Sequence, residues 1–311
     1  MGYGETRPDV LLEDETLRDG LQLENRIFSL KEKLEIYVQL AAAGIYRIQV
    51  GSFVNPRRVP QMADTEEFIS AIRREHANGP MISTLILNDK GLERALSCRV
   101  EHVSMSVSVS NTHSLKNAGK SAADALSAMS ELIRQATGAG LSVRAGLQCS
   151  FGCVYEGAID DNKVLAGAEK LATAGAREIN LADTTGMANP LDITRLVTRV
   201  NRELPEVNIS LHLHDTRGLG LANMYTGYQA GVRTFDATTG GLGGCPFVRG
   251  AAGNVPTEDA VHMFSSMGID TGIDLVKVCN AVSTLEKLLD RKLPGRMKTV
   301  LEAEKPNAGK Q

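Results

Sequence analysis

AAAGIYRIQV (residues 41–50) links the end of a helix-like segment to a short apolar run through a single glycine. The same phrase recurs three times, as GAGLSVRAGL (138–147), ATAGAREINL (172–181) and YQAGVRTFDA (228–237). Each glycine suits the left-handed backbone position that closes a helix, and each run suits a strand buried on both faces. The phrase therefore predicts helices that alternate with parallel strands; its glycines are Gly44, Gly140, Gly175 and Gly231.

Eight such βα units can be marked out along about 260 residues, which predicts a TIM (β/α)8 barrel. We predict strands at about 10–17, 46–53, 80–87, 102–109, 142–150, 178–184, 208–215 and 234–240. Helical patterns lie at about 29–43, 64–76, 89–97, 121–138, 161–174, 190–203, 218–230 and 256–267. An open doubly wound sheet is the alternative, but it usually has fewer strands, and no GxGxxG follows the first strand here.

We expect one domain over residues 1–311, with the barrel at about 10–270 and a C-terminal helical extension at about 272–295. An amphipathic helix at about 272–290 forms most of the extension, and residues 295–311 have the composition of a frayed polar tail. Residues 106–117, SVSVSNTHSLKN, are predicted to form a polar loop after the fourth strand.

Composition excludes several classes of protein. The 34 basic and 37 acidic residues are scattered and give a net charge of -3, so the chain has no electrostatic footprint for nucleic acid. No apolar run approaches the roughly 18 residues that cross a membrane. The cysteine count of five is odd and sparse, which predicts a reducing compartment, the cytosol or an organelle matrix, and of these we expect the cytoplasm. Cys149 and Cys153 are predicted to be structural, because no second Cys/His pair stands at zinc-finger spacing.

Several polar side chains fall at the predicted strand ends. TIM-barrel active sites lie at the C-terminal ends of the strands, so these side chains should meet at one rim. They are Arg18 and Asp19 on the first strand, Gln49 and Ser52 on the second, Asp183 and Thr184 on the sixth, His212 and His214 on the seventh, and Cys245 and Asn254 after the eighth.

The run LHLHDT (residues 211–216) points two imidazoles the same way, because side chains alternate along a strand. With Asp19, His212 and His214 offer two nitrogens and one oxygen, which suits a divalent cation such as Mg²⁺, Mn²⁺ or Zn²⁺. The alternative is a buried histidine pair that bonds only to neighbouring backbone.

Three further residues suit catalysis or metal binding. Arg18 could stabilise an enolate, or form a salt bridge to Asp14 or Glu15. Cys245 could donate a proton from a glycine-rich loop, or fill space there. Asn254 could bind the metal through its amide oxygen, or cap the helix that begins near residue 257.

Six motifs then carry a family resemblance over about residues 10–270. They are DETLRDGLQ (14–22), GSFVNPRRVPQM (51–62), CSFGCVYEG (149–157), LADTTG (181–186), LHLHDT (211–216) and GLGGCPFVRGAAGNVPTED (241–259). In this order they resemble the 3-hydroxy-3-methylglutaryl-CoA (HMG-CoA) lyases, within the wider family of metal-dependent TIM-barrel lyases and Claisen-type synthases. The GLGGCP loop is the specific part, because isopropylmalate and homocitrate synthases share mainly the Arg-Asp and His-x-His elements.

The resemblance implies retro-Claisen cleavage of HMG-CoA, a step of leucine degradation, into acetyl-CoA and acetoacetate. A divalent metal would chelate the tertiary hydroxyl and a carboxylate oxygen of this acyl-CoA substrate, and we expect a homodimer or higher homo-oligomer. The implied metal ligands are Asp19, His212, His214 and Asn254. The implied catalytic residues are Arg18 for the enolate, Cys245 for the proton, and Asp183 to orient the hydroxyl or accept its proton. The predicted substrate contacts are Gln22, Gln49, Ser52 and Thr184, and the loop at 110–117 matches substrate or CoA contacts.

The chain departs from the family pattern at several positions. Gln49 stands where the lyases usually have a glutamate, and a neutral amide cannot act as a carboxylate base. Alternation places it on the inner face with Arg47, Gly51 and Phe53. The other departures are Leu23 for an asparagine, Arg217 for an aromatic residue, and Asn111, His113 and Leu115 in the loop after the fourth strand.

These departures keep other functions open. A lyase for another tertiary 3-hydroxyacyl-CoA, such as citramalyl-CoA, is the main alternative. A condensing synthase would need an accessory region, and a biotin-dependent carboxyltransferase would need a lysine in the fifth strand, SVRAGLQCS. The alternative that is not an enzyme is an inactive metal-binding or scaffolding relative, in which Gln49 would be an early inactivating substitution. Against it, Arg18, Cys245 and the His-x-His pair are intact.

Overall fold

The computed structural model describes residues 8–244 and 253–304, and its strands close into a parallel barrel in chain order. The prediction of a TIM barrel is therefore confirmed. The strands are β1 (Leu11–Asp14), β2 (Arg47–Ser52), β3 (Met81–Leu85), β4 (His102–Ser108), β5 (Ser142–Gln148), β6 (Glu178–Asp183), β7 (Asn208–Leu213) and β8 (Thr234–Ala237).

Helices surround the barrel and pack their apolar sides against it, which leaves one continuous core between the two layers. They are α1 (Leu30–Ala42), α2 (Thr65–Glu75), α3 (Asp89–Ser97), α4 (Asn111–Ala118), α5 (Ala122–Gly138), α6 (Asp161–Thr173), α7 (Pro190–Glu203), α8 (Gly220–Gln229), α9 (Thr257–Ser266), α10 (Leu275–Leu289) and α11 (Met297–Glu304). Within the described ranges, none of them has the length and apolar character that crossing a membrane requires.

The glycines of the repeated phrase close helices as predicted. Gly44, Gly140, Gly175 and Gly231 have φ values of 92°, 88°, 116° and 100°, which most side chains avoid. Gly44 is also tightly packed: a Cβ there would lie 2.3 Å from the carbonyl oxygen of Gly272. The repeated glycine therefore both ends the helix and allows the chain to turn closely into the next strand.

Two segments differ from the sequence prediction. The predicted polar loop at 106–117 contains the helix α4, because the Ser110 side chain accepts a hydrogen bond from the backbone of His113 and Gly119 ends the helix with φ 70°. The predicted frayed tail contains α11, whose Lys298 is buried and pairs with Glu286 and Glu302. Long-range docking orders this polar segment, so its composition was misleading. Residues 305–311 lie outside the described part of the chain.

The ends of the first two strands also differ in detail. β1 ends at Asp14, and Thr16–Gly20 forms a π-helical turn, so Arg18 and Asp19 lie in this turn and not on a strand. The register of β2 shifts between Gln49 and Gly51. Gln49 contacts side chains inside the barrel, as predicted, whereas a Cβ on Gly51 would lie 2.6 Å from Oγ1 of Thr65 on α2. Gly51 therefore does not share the inner face with Gln49.

The inside of the barrel is charged. At its base, Arg47 pairs with Glu13 at 2.5 Å and with Glu178 at 3.0 Å. Above it, Arg144 of β5 pairs with Glu13 at 2.9 Å, with Glu15 at 2.6 Å and with Asp236 of β8 at 2.5 Å. These ion pairs connect strands on opposite sides of the barrel and lead upward to the rim.

Candidate active site

The π-helical turn Thr16–Gly20 is fixed to the opposite end of the chain by Asp14. One oxygen of Asp14 accepts a hydrogen bond from the Thr16 backbone at 2.9 Å, and the other accepts from the hydroxyls of Thr239 and Thr257, also at 2.9 Å. The turn therefore has a defined position relative to the loop after β8. This position presents Asp19 to the end of β7.

Asp19, His212 and His214 converge at this rim. One ligand atom from each lies within 4.8 Å of the others, and the two histidine Nε2 atoms are 3.1 Å apart. The Nδ1 atom of His212 lies 3.0 Å from Asp236, so that when it donates its proton there, Nε2 keeps a lone pair for a metal. The predicted convergence of these three residues is observed.

Asn254 completes the group. It forms an isolated bridge with His214, and its Nδ2 donates to Asp19 at 2.7 Å and to the carbonyl of Leu242 at 3.2 Å. Its Oδ1 atom is buried and has no hydrogen-bond partner among the described residues. A buried acceptor without a partner is costly, and a cation beside Asp19 would give it one. Asn254 does not cap α9, which begins at Thr257.

The charges around the rim also favour a cation. The connected ion pairs at the rim contain two guanidinium groups (Arg18 and Arg144) and three carboxylates (Glu15, Asp19 and Asp236). With these groups ionised and His212 neutral, the rim carries one surplus negative charge, which a bound cation would offset. Burial raises the pKa of Glu15 to about 7, even though Arg18 and Arg144 oppose the shift.

Asp19 and His214 are in the protonation states that metal binding needs. Burial alone would raise the pKa of Asp19, but Arg18 and the two histidines hold it at about 2. Burial, with the neighbouring His212, lowers the pKa of His214 to about 3. An ionised carboxylate and a neutral imidazole are the metal-binding forms of these side chains. Burial alone would lower the pKa of His212, but its hydrogen bond to Asp236 and the nearby Glu15 raise it, so a metal bound there would displace a proton.

A second group, Glu15, His212 and Asp236, also places potential ligand atoms within 4.8 Å of one another. Its carboxylates are already paired: Glu15 with Arg18 and Arg144, and Asp236 with Arg144. A cation there would have to displace or approach two guanidinium groups, which electrostatic repulsion opposes. Asp19 also pairs with a guanidinium but, among the described residues, with Arg18 alone. The group of Asp19, His212 and His214 therefore faces one guanidinium in place of two and is the better candidate site.

Arg18 lies beside this site and is almost fully buried. It donates Nη1 to Asp19, Nη2 to Glu15 and Nε to the amide oxygen of Gln49. The predicted alternative, a salt bridge to Glu15, is thus present. A guanidinium has five N–H groups, so two remain for a substrate oxygen.

The other predicted residues take different positions. Gln22 donates to Asp19 at 2.8 Å and so belongs to the group. Both oxygens of Asp183 accept backbone N–H groups, from Met187 at 2.7 Å and Ala188 at 3.1 Å, and burial raises the pKa of Asp183 to about 6. Within the described residues, no hydrogen bond or ion pair links the side chains of Ser52 or Thr184 to the group. Thr184 instead accepts from the Cys149 backbone at 2.9 Å.

Sequence reasoning missed three residues that support the site: Glu15 as a buried anchor, Arg144 and Asp236. Each stands at an inward position of a strand or just after one, where apolar residues are usual. Arg144 in SVRAGLQ and Asp236 in TFDA could have been found from the sequence, because each is a charged residue inside a strand that is otherwise mostly apolar.

The two buried thiols Cys149 and Cys153 form no disulfide, and burial raises the pKa of Cys149 to about 12.

Cys245 lies outside the described residues, but the chain on its N-terminal side is described. Gly243 has φ 96°, and a Cβ there would lie 2.7 Å from Nδ2 of Asn254 and 3.3 Å from an oxygen of Asp19. The backbone therefore passes directly against the candidate ligands two residues before Cys245. Leu23, one of the departures from the family pattern, is exposed. A Cβ on Gly244 would lie 3.8 Å from the side chain of Leu23.

The barrel and this group of side chains define a TIM-barrel protein with a candidate cation site at its C-terminal rim. Residues 9–285 match the family described as HMGL-like, and the chain belongs to that family. It is a carbon–carbon lyase.

Two relatives and one solved structure show how close the similarity is. The chain is 37% identical over 293 residues to the (R)-citramalyl-CoA lyase of Chloroflexus aurantiacus, covering 92% of each chain. It is 37% identical over 279 residues to a hydroxymethylglutaryl-CoA lyase of Bacillus subtilis, covering 90% of this chain and 93% of the relative. The crystal structure of the Bacillus subtilis HMG-CoA lyase matches with a TM-score of 0.90 at 35% identity, covering 97% of this chain and 100% of the other.

Gly243→Ala should disturb the candidate cation site. The added methyl group would press on Asn254 and Asp19, so we expect the affinity for Mn²⁺ to fall about tenfold. The matched control is Gly119→Ala: its φ is 70°, but nothing lies within 4 Å of the added atom. Calorimetric titration of both variants with Mn²⁺ would check this. Equal affinities would show that Gly243 does not support the site.

Proposed function

We propose that the protein is a metal-dependent lyase that cleaves HMG-CoA into acetyl-CoA and acetoacetate. The observation that carries the proposal is the rim group of Asp19, His212 and His214, with the unpartnered Oδ1 of Asn254 beside it. The similarity to hydroxymethylglutaryl-CoA lyases over 90% of the chain supports the substrate. A solved HMG-CoA lyase in complex with coenzyme A and 3-methylmalate, 37% identical with a TM-score of 0.87, supports an acyl-CoA ligand.

The proposed ligands of the cation are Asp19, His212, His214 and Asn254. Two imidazole nitrogens with carboxylate and amide oxygens suit Mg²⁺, Mn²⁺ or Zn²⁺. A bound divalent cation supplies Lewis acidity, which favours loss of the proton from a nearby alcohol. Asp236 holds the ring of His212 from behind, and Gln22 and Asn254 hold the carboxylate of Asp19, so the protein fixes these side chains before substrate arrives.

The reaction needs one proton removed and one supplied. We propose that Asp183, whose pKa of about 6 suits a base near neutral pH, accepts the proton of the tertiary hydroxyl. The oxygen then forms the ketone of acetoacetate, and the electron pair of the broken carbon–carbon bond passes to the enolate of acetyl-CoA. The two remaining N–H groups of Arg18 stabilise the enolate oxygen. Cys245 donates the proton that converts the enolate into the methyl group of acetyl-CoA.

Citramalyl-CoA is the second candidate substrate. The similarity to the (R)-citramalyl-CoA lyase covers 92% of both chains, and Gln49 departs from the HMG-CoA lyase pattern. In citramalyl-CoA the hydroxyl-bearing carbon carries the carboxylate directly, whereas HMG-CoA has one methylene group between the hydroxyl-bearing carbon and the carboxylate. A pocket distinguishes one methylene by about 10–200-fold, so a direct comparison can separate the two.

We infer that Gln22, Ser52 and Thr184 contact the substrate at the rim. We infer that Gln49 acts on the substrate indirectly, by accepting a hydrogen bond from Arg18. The homo-oligomeric state and the cytoplasmic location stay predictions.

The substrate proposal can be tested with HMG-CoA, citramalyl-CoA and two longer 3-hydroxyglutaryl analogues. We expect metal-loaded protein to release acetyl-CoA from HMG-CoA with a kcat/KM at least about tenfold above that for the others. Activity should disappear when a chelator removes the metal and return when Mg²⁺ or Mn²⁺ is added. A higher kcat/KM for citramalyl-CoA would establish the second candidate. Acetyl-CoA release from none of the four would refute the lyase.

Cys245→Ser should slow turnover by about 100-fold or more and leave KM nearly unchanged, because the thiol is proposed to act only as a proton donor. Cys98→Ser is the matched control, since Cys98 is a free thiol at the end of α3, four residues before β4 begins, and so lies at the face of the barrel opposite the C-terminal rim. Mild thiol oxidation should inactivate the wild-type protein reversibly. Turnover of Cys245→Ser at the wild-type rate would leave Cys245 as a loop residue without a chemical role.

A further inference from the structure

We propose that Glu15 is a positioning residue for Arg18, and that Glu15 and Gln49 together replace the carboxylate that the family pattern places at position 49. The proposal rests on the proposed function, in which Arg18 stabilises the enolate. The Glu15 carboxylate, just after the first strand, thus takes the place of the carboxylate that the resemblance implies at position 49 of the second strand.

The contacts of Glu15 carry the proposal. One oxygen of its carboxylate accepts from Nη2 of Arg18. The other accepts from Nη2 of Arg144 at 2.6 Å and from Nε2 of Gln49 at 2.8 Å. The side chain is fully buried, so water does not compete for these bonds. Glu15 therefore links a guanidinium deep in the barrel to the guanidinium at the rim.

Gln49 has the complementary contacts. Its amide oxygen accepts from Nε of Arg18, while its amide nitrogen donates to Glu15 at 2.8 Å and to Glu13 at 3.3 Å. A carboxylate at position 49 could still accept from Arg18, but it could not donate to Glu15. It would instead place two negative charges in contact inside a buried site, which is costly. The chain therefore contains a matched pair: a carboxylate at 15 and an amide at 49.

This pair fixes the plane of the Arg18 guanidinium. Glu15 and Gln49 hold two different edges of the group, and Asp19 holds a third N–H. Arg144 in turn holds Glu15 and Ser104 of β4, so Glu15 has little freedom to move. Glu15 is 3.7 Å from Nδ1 of His212, farther than Asp236 at 3.0 Å, which leaves Asp236 as the residue that orients His212. The effect of Glu15 is therefore expected on Arg18 and not on the metal.

The experiment compares Glu15→Gln, Gln49→Glu and the exchanged pair Glu15→Gln/Gln49→Glu. We expect kcat to fall about 100-fold in each single variant, since a small displacement of a catalytic group has this effect. We expect KM and Mn²⁺ affinity to stay within about threefold of the wild type, because no proposed ligand is altered. The exchanged pair restores one carboxylate and one amide but leaves position 49 without a donor for Glu13. It should therefore recover kcat in part, to at least about tenfold above that of the slower single variant.

The control is Glu178→Gln, which removes a buried carboxylate of the same ion-pair network at the base of the barrel, away from Arg18. It should lower the melting temperature and leave kcat close to that of the wild type. Exchange of the Arg18 Nε proton, followed by NMR, gives a readout that does not depend on activity. Because Glu15 accepts from Nη2, the Nη2 protons of Arg18 are followed in the same spectra; they should be protected in the wild type and the exchanged pair and exposed in Glu15→Gln.

The outcomes separate this inference from the proposed function. Wild-type protein that cleaves no acyl-CoA would refute the function, and unchanged protection of Arg18 in Glu15→Gln would then refute the positioning role as well. Active wild type with an equally active Glu15→Gln would overturn only the positioning role. An exchanged pair that folds, as judged by its melting temperature, but is no faster than either single variant would overturn the matched pair.

Discussion

The buried guanidinium of Arg144 is the interaction on which the rest of the site depends. It pairs with Glu13, Glu15 and Asp236 inside the barrel, where unpaired carboxylates would be very unfavourable. Two of these partners lead directly to the rim: Glu15 holds Arg18, and Asp236 holds His212. A single cation deep in the barrel thus orients both a proposed catalytic group and a proposed metal ligand.

Such a network is not an efficient source of stability. Removing one partner from a buried ion pair costs about 3–5 kcal/mol, yet replacing a whole pair with apolar residues is often neutral or stabilising. The apolar layer between strands and helices stabilises the barrel, and the charged interior gives the site its geometry. The surplus of negative charge near Asp19 likewise serves the site and not stability, because it makes this rim a favourable place for a cation.

The sequence allowed the barrel to be predicted because its signals are local. The repeated helix–glycine–strand phrase needs only neighbouring residues, and the barrel rule then brings Asp19 and His212 to one rim. The network inside the barrel was not predictable in this way, since Arg144 and Glu15 are 129 positions apart. The π-helical turn after β1 and the helix α11 were missed because both are held by contacts with distant segments, through Asp14 and Asp259.

A cation site at Asp19, His212 and His214 is tested most directly by locating a bound Mn²⁺ through its anomalous scattering in crystals of the protein. This site predicts one strong peak within bonding distance of Asp19 and the Nε2 atoms of His212 and His214, with the Asn254 amide oxygen turned toward it. A peak among Glu15, Asp236 and the Nδ1 atom of His212 would contradict it, because Arg144 and Arg18 would then not be the partners of those carboxylates. Crystals soaked at millimolar Mn²⁺ that show no peak at this rim would contradict it as well.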